Sequence, residues 1–228
     1  MTRQRGSETR HMIGFVFAFY RFSRLKQASL LERMVHTVTG DDAIHVAIVP
    51  ASFCAASESF SALPNASASF FRRIQALDCA YTAFIGKGVM RQSIDEVFGN
   101  PNYVLYFVPA AASSGRAHAN FIRGIDFLRS VVGTHYNNLS LLSTLLPPRF
   151  KQSIPSWVSG ENEAQMPGRD PALFCSQMGL MLCTLIDIPH SIDPAACSPG
   201  DLERHIIKRA FPLDELSRAV WNGHRLGI

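Results

Sequence analysis

Two residues in this sequence have the chemistry of a nucleophile and a base. Cys175 stands in DPALFCSQMGLMLC, after an apolar pair and at the start of a stretch that reads as a buried helix. The first turn of a helix offers unpaired backbone N–H groups and the positive end of the dipole, and both stabilise a thiolate. A thiol so placed is expected to be more acidic than the free value of about 8.5. The same N–H groups can receive an oxyanion when a carbonyl is attacked. His45 lies in AIHVAIVP, a β-branched apolar run. A histidine there must pair its ring nitrogens or lose hydration without return, so it is either a satisfied core residue or a base aimed into a cleft. Together the two supply the nucleophile and base of a thiol hydrolase. The competing reading is packing, because free cysteine is among the most buried residue types; Cys183, on the same apolar stretch, is read that way. Among the other histidines, His36 and His205 lie in helical segments and His11 and His224 in terminal ones, all read as surface, while His118, His135 and His190 fall in loops.

The elements that carry these residues follow from periodicity and turn chemistry. Ile13 to Tyr20 reads as a strand buried on both faces. Leu30 to Val38 has helical spacing, closed by Thr39-Gly40-Asp41-Asp42. Ala43 to Val49 is a central strand stopped by Pro50. Ala51 to Asp78, rich in Ser and Ala, reads as an insertion with a helix from about Ser67 to Leu77. Gly86-Lys87-Gly88 turns between strands Cys79 to Ile85 and Val89 to Gln92. Ser93 stands three residues before Glu96, the capping-box spacing, at the start of a helical turn that ends at Phe98. Asn102 to Pro109 is a further strand, and Phe121 to Val132 an amphipathic helix closed by Gly133. Tyr136 to Leu146 is apolar up to Pro147-Pro148, Lys151 to Arg169 is a long polar loop, Ser176 to Ile186 is the apolar helix, and a final helix or turn starts at Cys197. The plan is one α+β domain, with residues 1–11 a mobile basic tail and insertions at about 51–78 and 151–169.

Composition narrows the class. The 228 residues are 47% hydrophobic and 18% charged, which suits a globular domain with a sizeable core. The net charge of +4 is scattered apart from a basic start (Arg3, Arg5, Arg10) and a basic end (Arg204, Lys208, Arg209). No basic stripe with interleaved aromatics is present, so no nucleic-acid partner is expected. The five cysteines form no CxxC pair and no Cys/His cluster at zinc-ligand spacing. No metal or cofactor is expected, and reduced thiols point to a cytoplasmic compartment. MIGFVFAFYRF is too short to span a bilayer, ends with Arg21 inside it and lacks a small-residue cleavage site, so no membrane span is expected.

Taken in order, TGDDAIHVAIVP, YTAFIGKGVMRQSIDEVF, GTHYNNLSLL and FCSQMGLMLC, followed by ACSPGDLERHI, resemble the circularly permuted branch of the NlpC-type papain-like fold. These are the YiiX-like hydrolases, with the lecithin:retinol acyltransferase group as more distant kin. In that branch the histidine strand precedes the cysteine helix, as it does here. The resemblance runs roughly from Gly14 to His205. It implies an antiparallel sheet or small barrel packed against helices, with Cys175 as nucleophile and His45 as general base. It also implies that Ser176 caps the helix and that Tyr136 lines the cleft, in a binding or oxyanion role or in plain packing. Relatives carry Glu, Gln or His on the strand before the glycine turn to orient the imidazole; the matching position here is Thr82. A hydroxyl accepts an imidazole N–H but offers no negative charge to an imidazolium.

The function implied is a cysteine hydrolase, an amidase or peptidase or else an acyltransferase, working through a thioester on a peptide, isopeptide or lipid-acyl substrate. Thr82 keeps an alternative open, an inactive papain-like module that binds a peptide or lipid. A structural protein with both residues in its core is the third reading. The Lys151 to Arg169 loop leads to Cys175 and is expected to form a cleft wall or lid. Large DNA viruses carry related permuted proteins, so the resemblance also allows a viral source.

Overall fold

The apolar run near the N-terminus becomes the central strand of the molecule. A computed structural model describes residues 9–56, 71–110, 116–136, 173–194 and 197–213. In chain order the elements are β1 (Thr9–Arg21), α1 (Leu30–Thr39), β2 (Ala43–Ala56), β3 (Phe71–Ala76), β4 (Ala80–Phe84), β5 (Gly88–Gln92), α2 (Ile94–Phe98), β6 (Tyr103–Pro109), α3 (Ala117–Ser130), α4 (Cys175–Leu185), α5 (Pro199–Ile206) and β7 (Phe211–Leu213). The class is α+β. The seven strands form one open antiparallel sheet in the order β5-β4-β2-β1-β6-β7, with β3 paired to β2 off that path.

Alternation along β1 explains why its residues are apolar without a break. Phe15, Phe17 and Phe19 point to the side where α3 and α4 pack, among Phe121, Leu128, Met178 and Leu182. Val16 and Ala18 point to the other side, among Ala47, Val49, Phe98 and Phe107. All five β1 residues are 0% exposed, and each buried phenylalanine contributes about 2 kcal/mol of transfer free energy.

Four readings of the sequence are corrected here. Pro50 does not stop β2, which runs on to Ala56. On its far side β2 pairs with β4 at Ala47 and Ile48 and with β3 from Ala51 onward, so Pro50 sits between the two ladders. Its missing N–H falls where no ladder bond is due, and its carbonyl accepts the N–H of Leu77 at 2.9 Å. Of the helix expected from about Ser67 to Leu77, Phe71–Ala76 is instead strand β3, because pairing with β2 overrides local helix preference. The expected insertion at 51–78 therefore contributes strand at both ends, and residues 57–70 lie outside the described residues. The expected tail is also shorter, since Thr9, Arg10 and His11 pair with Ala56, Ala55 and Cys54.

Local chemistry sets several boundaries. α1 starts with a capping box between Ser29 and Glu32 and ends at Gly40, which has a φ of 69°. Ser93 caps α2, but through the N–H of Asp95 and without the reciprocal bond that the Ser93–Glu96 spacing suggested. α5 has a full capping box from Ser198 and Asp201, with Pro199 at its start. This helix holds the loop before β2: Ser198 Oγ donates to Asp41 Oδ2 at 2.9 Å, and Arg204 bridges Asp41 and Asp201. Arg21, on β1, pairs with Glu203 of the same helix. Gly200 lets the helix start approach Asp41, because a Cβ there would lie 2.1 Å from the Asp41 carboxyl carbon.

Among the described residues no helix is long and apolar enough to cross a membrane.

Candidate functional site

Cys175 is the first residue of α4 and is 3% exposed. No side chain caps this helix; Phe174 occupies the N-cap position. Ser176 therefore does not have the capping role expected of it. Its hydroxyl is buried and donates to the Cys197 carbonyl at 2.6 Å, tying the start of α4 to the segment that leads into α5.

β2 delivers His45, and its face follows from alternation. Val46 and Ile48 belong to the core on the α4 side, and Ala47 and Val49 to the opposite core. His45 has the parity of Ala47 and Val49. Thr82 lies between Tyr81 and Ala83, which face α4, and is paired with Ala47, so it shares the face of His45. The expected contact forms: Thr82 Oγ1 is 2.6 Å from His45 Nε2. The same hydroxyl lies 3.4 Å from the Val46 carbonyl, a second acceptor for its proton. Phe84 stacks on the imidazole at a centroid distance of 4.7 Å.

Cys175 and His45 thus approach from opposite faces of the sheet. They reach one cavity because β2 and β4 pair at only two rungs, Ala47 with Thr82 and Ile48 with Tyr81. Beyond Ala47 the strands part, and a backbone hydrogen bond from Val46, next to His45, reaches the Cys175 sulfur. The cavity, of about 360 Å³, is lined by Cys175, Ala83 and Cys197 from one side and by His45, Tyr20, Tyr103 and Gln92 from the other.

Tyr136 reaches the same cavity. Gly133 and Thr134 run beside β5, with the N–H of Val89 on the Thr134 carbonyl at 2.9 Å and the N–H of Gly133 on the Val89 carbonyl at 2.8 Å. Gly88 allows this approach, since a Cβ would lie 2.1 Å from the Thr134 oxygen. The N–H of Leu173 then bonds the His135 carbonyl at 2.9 Å, which sets Tyr136 beside the entry to α4.

Burial dominates the electrostatics. The thiol of Cys175 is pushed up to about 11 by desolvation, against the opposing pull of backbone hydrogen bonds from Val46, Ser176 and Cys175 itself. The helix start therefore does not make this thiol acidic; the loss of water outweighs the N–H groups. His45 is pulled down to about 4 by the same cause. At neutral pH the pair rests as thiol and neutral imidazole. The phenols of Tyr103 and Tyr136 are raised by burial, and the charge of a Cys175 thiolate adds to both shifts.

The structure brings Cys175, His45, Thr82 and Tyr136 to one site. Sequence reasoning missed Tyr20, Tyr103, Phe84, Gln92 and Glu32, which also line it. Tyr103 pairs with Tyr20 and Tyr20 with His45, so three rings form a row across β6, β1 and β2 that only the strand register reveals. Two histidines read as surface are partly buried. His36 stacks on Phe22 at 4.0 Å, and His205 has a buried Nε2 and lies edge-on to His190. The Lys151 to Arg169 loop and the segment after Tyr136 lie outside the described residues.

No protein-family model, curated protein or solved structure matches the chain. Among the described residues no group of three His, Cys, Asp or Glu side chains is placed to hold a metal ion.

Proposed function

We propose that this protein is a cysteine hydrolase, an amidase or peptidase of permuted papain-like kind, that works from a neutral resting pair. The observation that carries the reading is the convergence of Cys175 and a Thr82-anchored His45 on one cavity. Thr82 occupies Nε2, so Nδ1 is the nitrogen left for proton exchange. Base action needs the proton on Nε2, with that N–H donating to Thr82 and the Thr82 hydroxyl donating to Val46. As a carbonyl enters, Cys175 attacks its carbon, Nδ1 takes the thiol proton, and the backbone N–H groups near the sulfur receive the developing oxyanion. His45 returns the proton to the leaving amine, and water then hydrolyses the thioester. An ester substrate, or an acyl acceptor other than water, follows the same steps. The free thiols Cys79, Cys175, Cys183 and Cys197 suit a reducing compartment such as the cytoplasm.

The test is acyl-enzyme trapping. The protein is incubated with peptide, isopeptide and lipid-acyl esters, quenched in acid and weighed intact. A mass increase equal to the acyl group, mapped to Cys175 and absent from both Cys175→Ala and His45→Ala, is the expected outcome. A specific observation favours a second reading, an inactive peptide- or lipid-binding module: the high thiol, the low imidazole and a hydroxyl rather than a carboxylate on His45 Nε2. Binding of a peptide or lipid probe that never yields an acyl-enzyme on Cys175, with any of the three ester classes, would decide for that reading.

A further inference from the structure

We propose that the cavity beside Cys175 recognises an alkylammonium group, of the kind carried by a lysine side chain or a free primary amine. Its place in a reaction rests on the acyl-transfer reading; the binding itself does not. Among the described residues that line the cavity, Glu32 is the one acidic side chain, and no Lys or Arg is present. Gln92 brings a buried Oε1 that has no hydrogen-bond partner. A buried acceptor left unpaired is costly, and a ligand N–H relieves that cost.

Glu32 is fixed in place, since one of its oxygens accepts the Ser29 N–H at 2.6 Å within the capping box. The remaining walls include Tyr20, Tyr103, Tyr136, Phe84 and Phe174. Their ring faces attract a cation, and their apolar bodies suit a methylene stem. A phosphate or carboxylate ligand would meet the Glu32 carboxylate with no Lys or Arg among the lining residues to pair with. The ammonium is a recognition group; the carbonyl that Cys175 attacks belongs to another part of the substrate.

The experiment is calorimetric titration of the full chain, and of Cys175→Ala, with three probes: Nα-acetyl-lysine methylamide, its uncharged norleucine counterpart, and n-butylamine. The lysine derivative is expected to bind roughly tenfold more tightly than the norleucine one. Glu32→Gln, which keeps the capping box because Gln also serves at that position, is expected to cut the preference to what the ring faces alone supply. Stronger binding of the lysine derivative than of n-butylamine supports the proposal and assigns the site to a peptide side chain, and the reverse supports it for free amines. Equal binding of the lysine and norleucine derivatives overturns it, as does a preference undiminished in Glu32→Gln. An intact ammonium preference without acyl-enzyme trapping sinks the hydrolase reading alone. Trapping without the preference sinks this inference alone.

Discussion

Acidification is expected to destabilise this protein by about 3 kcal/mol through His45 alone. Burial lowers the imidazole from 6.5 to about 4 in the folded state, whereas the unfolded chain titrates near the ordinary value. Between those two values the unfolded state binds more protons, so stability falls as pH falls. The contribution is fully present above pH 6.5 and nearly all lost by pH 4, and moving a titration that far is worth about 3 kcal/mol. Urea unfolding of the wild type and His45→Gln at pH 7, 5.5 and 4 isolates the effect, since the glutamine is neutral throughout and keeps an amide for Thr82. His205, also lowered by burial, is present in both proteins and cancels. The stability of the wild type relative to the variant is expected to fall by about 3 kcal/mol from pH 7 to pH 4 at an unchanged urea slope. A change below about 1 kcal/mol would refute the desolvation argument, because the imidazole would then titrate alike in both states.

Three further outcomes bear on the site. Iodoacetamide alkylation of Cys175 is expected to speed up about tenfold for each pH unit between 7 and 10, because only the thiolate reacts and the thiol titrates near 11; a rate flat from pH 6 upward would show a preformed ion pair instead. Thr82→Val keeps the volume but leaves His45 Nε2 without its partner, so urea unfolding is expected to show a loss of about 1–3 kcal/mol; unchanged stability would mean that the bond contributes nothing. Nitrogen-15 NMR of His45 at pH 7 is expected to show the proton on Nε2, and a proton on Nδ1 would refute the proposal that it acts as base.

The sequence was most legible where one rule acts locally. Periodicity marks β1, α1 and α4, and the glycine pair marks the β4–β5 turn, because covered faces and positive φ values leave their residue types behind. It was least legible where pairing decides. Pro50 reads as a stop from its own chemistry, yet it falls at the one position of β2 between two ladders where its N–H is not needed. Phe71–Ala76 has no strand alternation of its own and is drawn into the sheet by β2. Glu32 reads as a helix cap and also lines the cavity, a double role visible only once α1 is placed beside the end of β2.

The candidate site shows the same division at the scale of single residues. Residue type and order single out Cys175 and His45, and the resemblance alone adds Thr82 and Tyr136, but the sign of the thiol's shift is not legible, because helix-start N–H groups are local and burial is collective. Nor is the meeting of Cys175 and His45. Parity sends His45 to the face away from α4, and a continuous β2–β4 ladder would keep it from Cys175. Pairing stops after Ala47 and Thr82, which leaves the Val46 backbone open to the sulfur and lets residues of both faces line one cavity. One more rung, Val46 with Ala83, would take that backbone N–H into the sheet and close the gap. The site depends on where a two-rung ladder ends as much as on the residues around it.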